Sequence, residues 1–154
     1  MTTPILGGLT NLAQLRDARR KRESSWDTTG GNADFWRIRG GETRTLADIS
    51  GAGCIRHIWM TTASIEEAYL RRCVLRMWWD GADTPCVEAP LGDFFGVGHG
   101  MIAEYWSMPL TMSPAEGRGF NCFFPMPYAR SARIEIVNEG ERSLMLFFYV
   151  DYEQ

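Results

Sequence analysis

The chain has 154 residues, a formal net charge of −3 and 45% hydrophobic residues. This length suits one domain with its own core, and the slightly acidic balance disfavours a dedicated nucleic-acid binder, which needs a clustered positive surface. The composition excludes a disordered chain, and no apolar run approaches the roughly 20 residues that cross a bilayer. We therefore predict a soluble globular domain without a nucleic-acid or membrane partner.

The N-terminal segment is basic and has the pattern of a short helix. Asn11 can cap it, with Gln14 three positions on, and apolar or small residues recur at helical spacing through about Lys21. We interpret its positive residues as the solvated face of that helix, with an arm for nucleic acid or an anionic membrane as the alternative. The sequence thus predicts a helical arm over residues 1–23 and one domain over residues 24–154. The positive residues are Arg16, Arg19, Arg20, Lys21 and Arg22.

The next part of the chain predicts a loop followed by strands. Residues 24–41 are polar and glycine-containing around Trp26 and Trp36, which indicates an ordered loop. From Gly53 onward, apolar residues occupy most of both faces of a period-two pattern, which is typical of a central strand. We expect one helical turn capped by Ser64, and then a strand over residues 70–79.

Short strands are also expected in the remaining sequence, at residues 87–91, 105–112, 120–124, 132–138 and 144–152. Breaks with Gly or Pro separate most of them, and residues 92–100 form a glycine-rich loop. The chain also has six Trp, eight Phe, five Tyr and 16 Gly, which suit pleated faces and turns. Seven or eight short strands with little helix predict an all-β fold, a single antiparallel jelly-roll sandwich with a short N-terminal helix.

Several common sites are not supported by the sequence. The glycines of residues 96–100 lack the following helix and acidic partner of a phosphate loop. His57 and His99 lack the spacing of zinc ligands, and residues 80–83 lack the oxygen ligands of a calcium loop. We therefore predict no cofactor and no metal. The N-terminus lacks the pattern of a secretory signal, so we expect a cytoplasmic protein.

Carboxylates and aromatic rings occur together at several points. Asp27 adjoins Trp26, Asp34 lies near Trp36, and Glu88 and Asp93 flank a turn that precedes two phenylalanines. Sugars present hydroxyls to carboxylates and amides such as Asn32, and they present C–H faces to aromatic rings. The alternative is structural: the tryptophans are core residues, the aspartates cap turns and Glu88 pairs with an arginine. Residue types alone leave both interpretations open.

A run of segments resembles a known family. In order, these are residues 24–34 (SSWDTTGGNAD), 41–43 (GET), 46–49 (LADI), 57–59 (HIW), 75–81 (LRMWWDG), 87–96 (VEAPLGDFFG), 119–122 (GFNC), 125–127 (PMP) and 148–153 (FYVDYE). Together they resemble the N-terminal half of glycoside hydrolase family 172, formerly a domain of unknown function. The motif at residues 87–96 makes the resemblance specific.

The resemblance implies the first of two jelly rolls in a homo-oligomer, a trimer or a larger assembly. Family activities act on furanosides, including difructose dianhydride and D-arabinofuranose linkages, through a retaining carboxylate pair that we expect in the second jelly roll. Whether this chain is itself an enzyme is therefore open. One hypothesis is a subunit or fragment of a furanoside-cleaving hydrolase, and the alternative is a non-catalytic jelly roll for carbohydrate binding or homo-oligomeric assembly. The residues that match first-half motifs, and that the resemblance implies for sugar binding, are Trp26, Asp27, Asn32, Asp34, His57, Glu88 and Asp93.

Overall fold

The computed structural model describes residues 15–154, and these residues form twelve strands and two four-residue helices. The strands are β1 (Arg20–Ser24), β2 (Trp36–Ile38), β3 (Thr43–Ser50), β4 (Gly53–Ala63), β5 (Cys73–Trp79), β6 (Val87–Pro90), β7 (Tyr105–Trp106), β8 (Leu110–Met112), β9 (Phe120–Cys122), β10 (Met126–Tyr128), β11 (Ser131–Asn138) and β12 (Leu144–Glu153). The helices are α1 (Tyr69–Arg72) and α2 (Leu91–Phe94), and a 3₁₀ turn spans Gly98–Gly100. No helix in this part of the chain is long and apolar enough to cross a membrane.

The larger of two antiparallel sheets is built around β4 and β12. Its eight strands run in the order β1-β12-β4-β9-β8-β7, with β2 also paired to β12 and β10 also paired to β4. The prediction of a central strand from Gly53 is confirmed, because β4 has neighbours on both edges. A register shift between Asp151 and Tyr152 leaves Arg56 of β4 without a direct partner in β12.

The smaller sheet has four strands in the order β3-β11-β5-β6. The chain crosses between the two sheets from β2 to β3, β3 to β4, β4 to β5, β6 to β7, β10 to β11 and β11 to β12. The crossing from β3 to β4 turns at Gly51, whose φ of +94° lies in a region that side chains with a Cβ rarely adopt. These crossings place the sheets face to face, and the predicted all-β jelly-roll sandwich is confirmed.

One hydrophobic core fills the space between the sheets. Ile58 and Met60 of β4, and Phe148 and Val150 of β12, are fully buried in it. Ile134 and Ile136 of β11 enter the same core from the smaller sheet. Because side chains alternate along a strand, the residues between these core positions face away from the core. The outward positions of β4 and β12 therefore form the outer face of the larger sheet.

The predicted N-terminal helix is wrong over its described part. Residues 15–19 form no regular element, and Arg20 and Lys21 lie in β1, which pairs with β12 along its whole length. The rest of that helix falls on residues 11–14, outside the described residues. Pairing with β12 satisfies the backbone groups of this segment, so tertiary structure overrides the local helical pattern. The predicted boundary between residues 23 and 24 falls inside β1.

Three other local predictions also need correction. The helical turn begins at Tyr69 and not after Ser64, whose hydroxyl instead accepts a hydrogen bond from the Glu66 backbone N–H. The turn occupies the start of the strand predicted over 70–79, so β5 begins only at Cys73. The strand predicted over residues 105–112 is the β7–β8 hairpin.

Candidate functional site

The outer face of the larger sheet carries two rows of polar and aromatic side chains. In the first row, Arg22 of β1 pairs with Asp151 of β12, and Asp151 pairs with His57 of β4. In the second row, Tyr149 of β12 lies opposite Trp59 of β4. Asn121 of β9 continues this second row beside Trp59. Strand pairing alone thus brings residues far apart in sequence onto one surface.

The first row is a connected polar network. The Arg22 guanidinium binds both carboxylate oxygens of Asp151, with Nε 2.6 Å from Oδ1 and a terminal nitrogen 3.0 Å from Oδ2. His57 Nδ1 is 3.3 Å from Asp151 Oδ2, and His57 Nε2 is 3.2 Å from Asn121 Oδ1. The Phe123 ring stacks on the imidazole with its centroid 4.6 Å away. These contacts fix the orientation of the histidine ring and of the carboxylate.

The electrostatics of Asp151 follow from its partners. Burial raises its pKa, but the hydrogen bonds from Arg22 and His57 outweigh burial, and the pKa is held below its ordinary value. The same hydrogen bond raises the pKa of the Arg22 guanidinium. Asp151 is therefore a fixed, ionised hydrogen-bond acceptor at neutral pH.

The second row forms an aromatic platform. The Trp59 and Tyr149 rings stack with centroids 4.8 Å apart and planes inclined by 27°. The Arg22 guanidinium carbon lies 4.1 Å from the Tyr149 ring centroid and links the platform to the polar row. Beyond the platform, Trp26 and Asp34 complete a small pocket of about 200 Å³. Aromatic rings and hydrogen-bonding groups therefore lie side by side.

The loop that carries Trp26 is held in place by two aspartates. Asp27 Oδ1 accepts hydrogen bonds from the Thr29 backbone N–H at 2.9 Å and from the Thr29 hydroxyl at 2.6 Å, and Asp27 Oδ2 accepts one from the Ala33 N–H. The Asp27 backbone N–H in turn donates to Asp34 Oδ1 at 2.8 Å. The hydrogen bond from the Thr29 side chain, and then those from backbone N–H groups, lower the pKa of Asp27. Both carboxylates thus order the loop, which leaves Trp26 62% exposed above the sheet.

Five of the seven predicted site residues lie in or near this face. Trp26, Asp27, Asn32 and Asp34 share the loop after β1, and His57 belongs to the polar row. Asn32 is exposed, with a φ of +57° that places it in the tight part of the loop. Only Trp26 and Asp34 of the four loop residues line the small pocket. The sugar-binding role assigned to these residues stays a prediction.

The other two predicted site residues lie elsewhere in the chain. Glu88 is on β6, the edge strand of the smaller sheet, and its carboxylate is 2.7 Å from Arg76 Nε. Asp93 lies in α2 and forms an ion pair with Arg71. Neither residue lines the small pocket or the larger groove described next. The expectation that Glu88 could pair with an arginine matches the structure.

A groove of about 550 Å³ extends the polar row toward the end of β12. It contains two carboxylates, Asp151 and Glu153, which face outward two residues apart on one strand. Three guanidinium groups contact Glu153: Arg16 at 2.7 Å, Arg56 at 3.5 Å and Arg20 at 3.7 Å. Retaining hydrolysis needs one carboxyl group as a proton donor and one free nucleophile. Both carboxylates here are paired with arginines.

Residues 15–154 contain no group of three or more His, Cys, Asp or Glu side chains that could hold a metal ion. The residues of the groove instead offer hydrogen bonds, charge and aromatic surface.

Sequence reasoning did not select Arg22, Trp59, Asn121, Tyr149 or Asp151 as site residues. A usable signal was present in the last strand, where polar or aromatic residues alternate with core residues from residue 147 to residue 153. That alternation identifies an outward face. It does not identify the neighbouring strands that complete the face, because their pairing is non-local.

Comparison with known families gives one result that covers most of the chain. The model described as GH172 domain-like matches residues 32–147. This range includes β2 to β11 and the start of β12, and therefore most of the sandwich. Comparison with curated proteins gives no match. The matched range exceeds two thirds of the chain, so the chain belongs to the GH172 domain-like family, a carbohydrate-active family of glycoside hydrolases.

Proposed function

We propose that this chain binds furanoside carbohydrate on the outer face of its larger sheet, as the sugar-recognising part of a furanoside-cleaving glycoside hydrolase. The observation that carries the proposal is the Trp59–Tyr149 stack beside the Arg22–Asp151–His57 row. The stacked Trp59–Tyr149 pair and the exposed Trp26 ring offer apolar surface to the C–H groups of a sugar, and fixed polar groups beside them take the hydroxyls. Family membership supports carbohydrate as the ligand class.

Each group has a defined part in this binding. The ionised Asp151 carboxylate accepts hydrogen bonds from sugar hydroxyls, and Arg22 donates them. Trp26 closes the far end of the platform from its ordered loop and adds a second apolar surface. Because Arg22, His57 and the Asp27 loop are already held by internal hydrogen bonds, little side-chain freedom is lost when the ligand binds.

Calorimetric titration with methyl α-D-arabinofuranoside tests the proposal. We expect Trp59→Ala and Tyr149→Ala to weaken binding roughly fivefold to tenfold each, because each removes one ring of the stacked pair and leaves the other ring without its partner. Ile65→Ala is the control, since Ile65 is 86% exposed and lies outside the small pocket and the groove. Equal losses in all three variants, or no binding by the folded wild type, would refute the proposal.

A hydrolysis assay separates binding from catalysis. Because arginines occupy both carboxylates of the groove, we expect this chain to bind aryl α-D-arabinofuranoside and difructose dianhydride without turnover. Turnover that disappears in Asp151→Asn and Glu153→Gln, while binding persists, would show instead that these carboxylates cleave the substrate.

A second candidate function, homo-oligomeric assembly, is favoured by an exposed apolar ridge. The ridge consists of Trp106, Met108, Phe123 and Phe124, which are 45–94% exposed. The Phe123 backbone N–H donates to the Pro109 carbonyl at 2.7 Å, so the β7–β8 turn and the segment after β9 lie side by side. Contiguous apolar surface of this kind typically marks an interaction site, and symmetric self-association is its commonest use. We propose that it joins copies of this chain in a trimer or a larger assembly.

Analytical ultracentrifugation tests the assembly. We expect a concentration-dependent oligomer for the wild type and a monomer for the double variant Met108→Asp/Phe124→Asp, because two carboxylates cannot be buried unpaired in an interface. Ile65→Asp is the control, since Ile65 is 86% exposed and lies outside the ridge. A monomeric wild type, or an oligomer that the double variant leaves intact, would exclude this interface.

A further inference from the structure

The groove at the end of β12 is basic, in contrast to the chain as a whole. The protein as a whole is acidic, with a formal net charge of −3. The groove nevertheless has the basic residues Arg20, Lys21, Arg22 and Arg56 in its lining, against the carboxylates of Asp151 and Glu153. β1, the strand that carries three of these basic residues, belongs to the segment that the sequence predicted as the solvated face of a helix, with an arm for nucleic acid or an anionic membrane as the alternative. The structure instead places this strand along the wall of a groove.

The positive charge in the groove exceeds what its carboxylates neutralise. Glu153 is contacted by three arginines, and Asp151 by Arg22 and His57. The Lys21 ammonium donates to the neutral Gln154 Oε1 at 2.8 Å. Lys21 pairs with the core residue Tyr152 and its side chain faces away from the groove, so Arg16, Arg20, Arg22 and Arg56 give four positive side chains against two carboxylates. The Arg20 side chain remains 80% exposed, so it is available to a ligand.

This basic groove is continuous with the aromatic platform. Arg22 belongs to both, because its guanidinium binds Asp151 and also covers the Tyr149 ring. Tyr149, Asp151 and Glu153 lie on the same face of one strand. At about 3.4 Å per residue, the distance from the platform to the basic end is roughly 13 Å. One extended ligand can therefore contact both.

We propose that this groove binds an anionic group, a phosphate or a carboxylate, on the saccharide whose ring lies on the Trp59–Tyr149 platform. This inference rests on the proposed function and adds the charge of the substrate. Arg20 and Arg56 contact the anion, and Arg22 positions both the anion and the sugar ring. Guanidinium groups pair with both anions by bidentate hydrogen bonds.

Titrations with four probes test the inference: D-ribose 5-phosphate, D-galacturonate, neutral D-ribose and inorganic phosphate. We expect at least one anionic sugar to bind about tenfold more tightly than D-ribose and more tightly than inorganic phosphate, with an affinity that falls as salt concentration rises. Comparison of the D-ribose 5-phosphate and D-galacturonate titrations shows which anion the groove prefers. Equal affinity for neutral and anionic sugars would overturn the inference.

Variants identify the residues responsible. Arg20→Gln/Arg56→Gln is expected to remove the preference for the anionic sugar and to leave binding of methyl α-D-arabinofuranoside within twofold of wild type. Arg118→Gln is the control for each charge removed, because Arg118 is 70% exposed and 4.0 Å from its nearest carboxylate partner, outside the groove. An unchanged preference in the double variant, or an equal loss in the control, would refute these assignments.

The two proposals fail in different ways. If the neutral furanoside binds but the anionic sugar gains nothing, the charge inference is wrong and the proposed function stands. If inorganic phosphate binds as tightly as the sugar phosphate and no neutral furanoside binds, the groove is an anion site without a sugar partner, and both proposals are wrong.

Discussion

At the scale of single residues, Asp151 links the fold to the site. Its backbone belongs to β12, while its carboxylate joins Arg22 of one neighbouring strand to His57 of the other. The same carboxylate therefore holds an edge strand and orients a ring on the outer face. It is 27% exposed, so solvent weakens these interactions without abolishing them.

The lowered pKa of Asp151 makes a prediction about pH. A carboxylate whose pKa is lower in the folded state stabilises the fold above its unfolded pKa of about 3.9, and this contribution is lost as the pH falls through the folded value. We expect Asp151→Asn to be less stable than wild type at pH 6 to 7, with the difference shrinking below about pH 4. Denaturant unfolding of both proteins across this pH range measures it.

Other acidic groups titrate in the same pH range. The test is therefore the difference in unfolding free energy between wild type and Asp151→Asn at each pH. Asp17→Asn is the control, because Asp17 is exposed and forms none of the ion pairs found in the described residues. A stability difference for Asp151→Asn that stays constant from pH 7 to pH 3 would mean that the carboxylate charge contributes nothing.

At the scale of elements, β1 shows how tertiary pairing decides local structure. Its sequence is almost entirely charged and has no strand-like alternation of apolar residues. It forms a strand because β12 offers a ladder of backbone groups, and because Arg20 and Arg22 meet Glu153 and Asp151 across that ladder. The hydrophobic pattern of one segment contains none of this information.

Hydrogen exchange distinguishes the strand from the predicted helix. The Arg19–Gln154 pair exchanges two backbone hydrogen bonds, of 2.7 and 3.1 Å. In an antiparallel ladder such pairs alternate, so we expect protected amides at Lys21 and Glu23 and faster exchange at Arg20 and Arg22. NMR-detected exchange at single residues measures this. Protection at four consecutive residues would indicate a helix instead.

The strands that the sequence predicted share one property, a clear apolar pattern. β4, β5, β11 and β12 carry most of the core and were expected close to their observed positions. β2 and β10 have three residues each, too few for a pattern, and they lay in segments expected to be loops or breaks. β3 was not predicted, because a register shift near Ile134 places Leu46 and Ala47 both in the core and breaks its alternation.

The site residues that belong to local sequence motifs could be predicted. His57, Trp26 and the aspartates of the loop were expected from aromatic and carboxylate neighbours and from the family resemblance. Arg22 and Asp151 were not, because they meet across paired strands 129 residues apart in sequence. Glu88 and Asp93 looked equally suited by residue type, yet the fold places them on other elements with arginine partners.

At the scale of the whole molecule, the sandwich divides its larger sheet between two tasks. One face of β4 and β12 supplies the centre of the hydrophobic core, and the other face carries the aromatic platform and the polar row. A sheet buried on one side holds its opposite side rigid, which suits a binding surface. The smaller sheet completes the core and carries Glu88 away from this surface.

The measurement that tests this account most directly is an NMR map of the binding face. Titration of the ¹⁵N-labelled protein with methyl α-D-arabinofuranoside should shift the amide signals of His57, Trp59, Tyr149 and Asp151, together with the indole signal of Trp26. Shifts confined to the smaller sheet around Glu88, or no shifts at all in a folded sample, would contradict the claim that the outer face of the larger sheet binds the sugar.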